Sequence, residues 1–437
     1  MSERHPSLRS RTGSRPGAPP GAPAILALLV LLVLLPSVEL GAQDWSQWRG
    51  PSRDGVAADF EPPAVWPDQL ALTWQAEVGP GNASPVVAGG RAFAFVRDGE
   101  SESLVALDVA SGEVLWRNGY VQEFTPLTVV GRHDKGPFAT PTVRDGRVFT
   151  LGIRERLVAW SADSGEILWQ RGFDQDFKRP QPFYGTSQSP LALADRVIVH
   201  LGGPGEGALQ AFDPATGEDL WRAPTEDGPA YGSPVLAELA GRTQVVTFTQ
   251  RRLIGFDPAD GAVLWELPYQ VSFDAASVTP VIHGDLIIVG SEQRPVEAYR
   301  VRVQDEGLAV EGAWTAKDVA FQFSSPVLVS GRLFGFSVRN KGQVVALDPD
   351  SGAVLWSGPP RQGENAYLIG AGPVVLVFRD DAGLEVIAAA AEGHTVLATY
   401  AVGESWSWSH PAVLGHALLV KDYDVLRRWE LVPPSSP

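Results

Sequence analysis

The sequence predicts an all-β chain, an eight-bladed β-propeller of four-stranded antiparallel blades, on three observations. A Ser/Thr-Pro step recurs, with proline at 85, 141, 190, 234, 280, 326, 373 and 411, at intervals of 38 to 56 residues. Period-two runs rich in Val, Ile, Phe and Thr fill the intervals, which argues strands and against helical repeats of similar length. Each clean interval closes with a tight Asp-containing turn and a short strand ending in Trp, and a period in the forties with four short strands is the signature of a propeller blade.

The first copy opens at Ser84-Pro85, turns at Gly90-Arg91, continues through Leu104-Val105-Ala106-Leu107-Asp108 and ends in Ser111-Gly112-Glu113-Val114-Leu115-Trp116. The second runs from Thr140-Pro141 to Gly165 and Trp169, and the third from Ser189-Pro190 through Asp213 and Gly217 to Trp221. The fourth carries Ser233-Pro234, Asp257, Gly261 and Trp265, and the sixth Ser325-Pro326, Asp348, Gly352 and Trp356. Three copies are worn. Thr279-Pro280 leads into a longer excursion before Trp314, Gly372-Pro373 leads to a copy with Leu397 in place of Trp, and His410-Pro411 opens a last copy that stops after Trp429 without its final strand. Leu70-Ala71-Leu72-Thr73-Trp74 reads as that missing strand, so the two chain ends are expected to share one blade and leave no open edge.

Within each turn the roles are physical. Asp hydrogen-bonds the backbone two residues on, Gly supplies positive φ, and the Trp ring offers a large flat surface to the neighbouring blade. These residues describe packing, and the chemistry must be sought elsewhere.

Residues 1–42 carry Arg4, Arg9, Arg11 and Arg15 ahead of an apolar run at 24–35 and the small residues Gly41-Ala42. That order is the one of a secretory signal peptide, with an uncleaved anchor as the alternative, and it places the chain in the periplasm or outside the cell. Once the signal is removed no transmembrane segment is expected. Residues 43–69, rich in Gly, Pro and Trp, form an irregular lead-in, and 70–437 form the propeller. Cysteine is absent, which excludes disulfides and thiolate metal sites. The net charge of −16 repels phosphate backbones, so nucleic acid is not an expected partner.

Ala106, Asp108, Gly112 and Trp116 resemble the tryptophan-docking repeat of pyrroloquinoline-quinone (PQQ) dehydrogenases and related propellers, as do Ala211, Asp213, Gly217 and Trp221, and Ala346, Asp348, Gly352 and Trp356. Gly255 replaces Ala in the fourth copy and Ser161 replaces Asp in the second. The lead-in Trp45-Ser46-Gln47-Trp48-Arg49-Gly50-Pro51 is similar to the start of exported bacterial propellers related to the outer-membrane assembly factor BamB. The resemblance implies a periplasmic scaffold or, alternatively, a PQQ- and calcium-dependent alcohol or sugar dehydrogenase. The vicinal disulfide of those dehydrogenases is excluded by the lack of Cys.

No G-x-S-x-G, H-E-x-x-H or Walker loop occurs, and no two histidines stand at the spacing that aims imidazoles at one metal. Gly202-Gly203-Pro204-Gly205-Glu206-Gly207 precedes a β run and reads as a hairpin connection, as does Asp380-Asp381. Aromatic and polar residues gather just before the Pro-led strands, at Phe138, Tyr184, Gln188, Tyr231, Phe273, Asp274, Phe321, Gln322, Phe323, Tyr367, Trp406 and Trp408, with Lys135, Arg179 and Arg361 as cations nearby. If the Pro-led strand is innermost, these residues surround one mouth of the axis and form a binding surface for a protein or peptide partner of the cell envelope. No cofactor, metal or catalytic residue is expected on this reading.

Overall fold

A computed structural model describes residues 44–125, 135–173, 184–304, 307–390 and 392–431; the leader and Arg179 lie outside these. Eight sheets follow one another around an axis, each with four antiparallel strands that run in chain order from the axis outward except for the outermost strand of the last blade. Blade 1 comprises Val86–Ala88, Arg91–Asp98, Ser101–Asp108 and Val114–Val121. In blade 8 the three strands Ala412–Leu414, Ala417–Asp422 and Val425–Glu430 are completed by Ala71–Glu77, which pairs antiparallel with Val425–Glu430. The ring is thus closed by the strand that precedes blade 1.

Two belts of contacts join the blades. In the outer belt the Trp at the end of one blade lies on the turn Gly of the next, and its indole N–H donates to the carbonyl just after the turn Asp or its equivalent. Trp74, Trp116, Trp169, Trp221 and Trp314 reach Val109, Ala162, Pro214, Pro258 and Pro349 in this way, at 3.0–3.3 Å. A Cβ on the receiving glycine Gly112, Gly165, Gly217, Gly261 or Gly352 would stand within 2.3–2.6 Å of the indole. The inner belt explains the Ser/Thr before proline. The backbone N–H of Ser84, Thr140, Ser189, Thr279 and His410 donates to the hydroxyl of Thr140, Ser189, Ser233, Ser325 and Ser84 respectively, at 2.8–3.2 Å. Among the described residues, both belts bridge the same junctions: 8–1, 1–2, 2–3, 3–4 and 5–6.

The other junctions are built differently, and the Trp residues at their ends depart from the docking expected of them. Blade 5 replaces the Asp turn with the long hairpin Arg294–Gln304 and Gly307–Ala316, so Trp265 has no turn to dock on. Its ring folds onto its own blade instead, donating to the Gln244 side chain and covering Gly255, where a Cβ would stand 2.2 Å away. That contact is the reason Gly stands at 255 where other copies carry Ala. Trp356 packs edge-on against His394 at 5.6 Å rather than on a glycine turn. At junction 7–8, Trp429 donates to Val402 at 2.9 Å.

One blade is shifted from its expected position. The inner strand of blade 7 is Ala366–Ala371, so Gly372-Pro373 forms the first hairpin turn and does not lead the inner strand. Ala371 pairs with Val374 as Ala88 pairs with Arg91, which places Leu368 where Pro85 stands.

The lead-in is ordered and spans the axis. Trp45 pairs with Val87 of blade 1, Val143 of blade 2 donates to Ser46 at 2.7 Å, and Trp48 donates to Thr279 of blade 5 at 2.8 Å. Arg53 donates to the carbonyls of Pro190 and of Pro234, the latter at 2.8 Å, in blades 3 and 4, while Arg49 donates to Pro326 of blade 6. Val56–Ala57 adds a parallel strand to blade 7, and Trp45 and Trp48 both pack on His410 of blade 8, at 6.1 and 5.6 Å. One short segment therefore touches every blade. Burial lowers Arg49 to about 10 and Arg53 to about 9, so each remains charged at neutral pH and draws carbonyl acceptors around it.

Candidate functional site

Above this plug lies a cavity of about 310 Å³ on the axis, with Trp48 in its lining. Each blade other than blade 7 contributes the residue two positions before its belt residue: Asn82, Phe138, Ser187, Tyr231, Ser277, Phe323 and Trp408. The belt residue is pinned by its hydrogen bond, and extended backbone alternates its side chains, so the second residue back shares its direction toward the axis. Blade 7, displaced by its shifted register, supplies Tyr367 from the inner strand itself.

The residues expected at the mouth divide into those that line the cavity and those that do not. Phe138, Tyr184, Tyr231, Phe273, Gln322, Phe323, Tyr367 and Trp408 line the cavity. Gln188 stands one residue before its belt position, is buried, and donates to Phe248 at 3.2 Å. Trp406 faces Tyr423 at 5.1 Å, outside the lining, and Phe321 is buried beneath Gly335. Asp274 lies next to the lining in the turn Ser272–Asp274, and burial raises its carboxyl against the lowering effect of Arg251. Lys135 is paired with Glu100 at 2.8 Å, and Arg361 is exposed outside the lining. Sequence reasoning missed Trp48, Asn82, Ser187, Ser277, Glu292 and Gln293. Counting back two from each Ser/Thr-Pro step would have found Asn82, Ser187 and Ser277. Nothing in the repeat pattern signals Trp48.

The walls are held by their own contacts. Tyr184 meets Tyr231 edge-on at 5.8 Å, Phe323 meets Trp408 edge-on at 5.2 Å, and the Tyr367 hydroxyl donates to the Trp408 carbonyl at 2.7 Å. Burial raises the hydroxyl pKa of Tyr231 and Tyr367, so both stay protonated and able to donate. Glu292 accepts a hydrogen bond from Gln322 at 2.9 Å. Phe273 is 64% exposed, held at positive φ with Asp274, and stands out from the rim. The arrangement is a cup with one plugged end, aromatic walls, neutral hydroxyl and amide groups and one carboxylate, Glu292.

The fold and the cup define an eight-bladed propeller with a closed axis and a concave aromatic face. Residues 100–358 match the family described as outer membrane protein assembly factor BamB, and the chain belongs to that family. A BamB from Burkholderia pseudomallei is 25% identical over 340 residues, covering 68% of this chain and 84% of the relative. A 1-butanol dehydrogenase (cytochrome c) from Thauera butanivorans is 28% identical over 224 residues, which are 47% of this chain and only 30% of that enzyme. Among solved structures, quinohemoprotein alcohol dehydrogenase from Comamonas testosteroni superposes with a TM-score of 0.66 at 14% identity, over 90% of this chain and 81% of that one. BamB from Moraxella catarrhalis superposes with a TM-score of 0.60 at 15% identity, over 83% and 99% respectively. Both superpositions show the shared fold.

The dehydrogenase relatives raise the question of PQQ and calcium. PQQ is a planar tricarboxylate, and calcium takes six to eight oxygen ligands. The described lining of the cup contains no Lys or Arg to pair such an anion, and Glu292 is its one carboxylate. Among the described residues no three His, Cys, Asp or Glu side chains converge on a metal position. The cup as described does not fit the pair.

Proposed function

We propose that the protein is an exported, non-catalytic propeller of the cell envelope that captures an extended segment of a partner protein in its aromatic cup. The observation that carries this reading is the cup itself. Tyr184, Tyr231, Phe273, Phe323 and Trp408 surround a blind cavity whose polar groups are neutral donors and acceptors apart from one carboxylate. Concave aromatic surfaces with a few polar groups are suited to side chains of a docked chain, because stacking and burial supply affinity while hydroxyls fix register. The leader at 1–42 supports export to the periplasm or beyond. Membership of the BamB family supports a scaffold that works with other proteins.

The test is site-specific photo-crosslinking in the cell, with a photoreactive phenylalanine analogue at Phe273. A discrete protein adduct that is lost when the same analogue is placed at the outer-strand residue Leu355 is the expected result. Adducts at Leu355 and none at Phe273 would overturn the reading.

The second reading, a PQQ- and calcium-dependent oxidoreductase, is favoured by the similarity to the 1-butanol dehydrogenase. It requires heat on calorimetric titration with PQQ and calcium, and dye reduction by an alcohol or sugar. A flat titration eliminates it.

A further inference from the structure

We propose that the cup receives a cationic side chain, a lysine or arginine of the partner segment; this rests on the peptide-capture reading above. The cup is one-sided in charge. Glu292 sits in its wall, hydrogen-bonded to Gln322 at 2.9 Å and without a cationic partner among the described residues. Asp274 lies next to the rim with Arg251 as a neighbouring cation outside the lining, and no described Lys, Arg or His lines the cavity. The rings of Tyr184, Tyr231, Phe273, Phe323 and Trp408 add negative quadrupole faces. The pairs Tyr184–Tyr231 and Phe323–Trp408 meet edge-on, with their rings at 60° and 82° to each other.

The deeper lining supports the same occupant. Ser187 and Ser277 also line the cavity, and their hydroxyls donate to the Tyr231 and Gln322 carbonyls, so the hydroxyl oxygens keep lone pairs as acceptors for an ammonium or guanidinium head once its alkyl stem has passed the aromatic wall. A carboxylate side chain would meet Glu292 and the ring faces with the wrong sign. A purely aliphatic one would use the rings but leave Glu292 uncompensated. The cup thus distinguishes charge type where shape alone would not, and repulsion of acidic segments is part of that specificity.

The mature full-length chain is titrated, with intrinsic tryptophan fluorescence as readout, against pentapeptides of glycine and alanine around one central residue: lysine, arginine, trimethyl-lysine, norleucine or glutamate. The cationic peptides are expected to bind about tenfold more tightly than the norleucine peptide, with the glutamate peptide weakest. Glu292→Gln is expected to remove most of that preference, bringing the cationic and norleucine peptides to similar affinity. Glu113→Gln, in a turn outside the cup lining, controls for the general acidity of the chain and is expected to change nothing. Both variants are checked by thermal melting. Equal binding of lysine and norleucine peptides, or a lysine preference that survives Glu292→Gln, overturns the proposal and leaves peptide capture standing. Binding of none of the peptides, or of a disaccharide in their place, overturns both.

Discussion

The indole of Trp74 lies on Gly112, with its N–H donating to the Val109 carbonyl at 3.0 Å. Trp74 belongs to the strand that precedes blade 1 yet serves as the outer strand of blade 8, so this contact completes the outer belt across the point where the chain ends meet. Gly112 combines φ +74° with a Cβ position 2.5 Å from the ring, whereas Gly89 has φ +57° and open space. Gly89→Ala is expected to cost about 1 kcal/mol from backbone strain alone. Gly112→Ala is expected to cost about 3 kcal/mol, because the ring must also move. Chemical denaturation of the two variants checks the difference.

Gly255→Ala brings the fourth copy into line with the other repeats and is nonetheless expected to destabilise by about 2–3 kcal/mol, since Trp265 occupies the place of the new methyl group. The double variant Gly255→Ala with Trp265→Leu should recover part of that loss, a coupling that a double-mutant cycle measures directly.

Arg53 is buried among the carbonyls of Pro190 and Pro234, with Gln47 at 2.9 Å. Arg53→Ala leaves those acceptors unpaired and detaches the plug from blades 3 and 4, with an expected loss of about 3 kcal/mol. Trp48 should become more accessible to an aqueous quencher in this variant, which is read by fluorescence.

His200 and His410 are lowered by burial from 6.5 to about 4 and about 3. Between those values and 6.5 the unfolded chain binds protons that the folded chain does not, so their contribution to stability is lost as pH falls below 6.5. The slope is at most about 1.4 kcal/mol per pH unit for each histidine. Glu155, raised to about 8 by burial, acts in the opposite direction between 4.5 and 8, so the net curve alone does not isolate the histidines. Comparison with His200→Gln does: the variant should lose less stability between pH 7 and pH 5 than the parent, and an equal loss contradicts the assignment.

Much of the fold was legible because each blade repeats the same turn chemistry. Asp213, Gly217 and Trp221 announce a turn and a docking ring wherever they recur, and Leu72 to Trp74 resembles the missing strand closely enough to be recognised. The reach of a docking Trp was less legible, since it depends on the next blade: Trp265 has the motif, and only the long hairpin of blade 5 leaves it without a seat. Gly372-Pro373 misled because a proline at a first hairpin turn looks the same in sequence as one ahead of an inner strand. In the cup, the aromatic enrichment was visible, but Gln188 and Trp406 were grouped with it: alternation turns Gln188 away from the axis, and Trp406 packs on Tyr423 instead. The plug was invisible because Trp48, Arg49 and Arg53 act through contacts with blades far along the chain, outside any repeat.

The most direct test of the account is the affinity of the partner trapped at Phe273 for the purified double variant Phe323→Ala with Trp408→Ala. These side chains meet edge-on in the cup wall at 5.2 Å, and their removal strips two aromatic faces from the cavity. Loss of about 2 kcal/mol or more of binding, at least thirtyfold, with the far-ultraviolet spectrum of the parent, is the predicted result. Undiminished affinity in a folded double variant would contradict it.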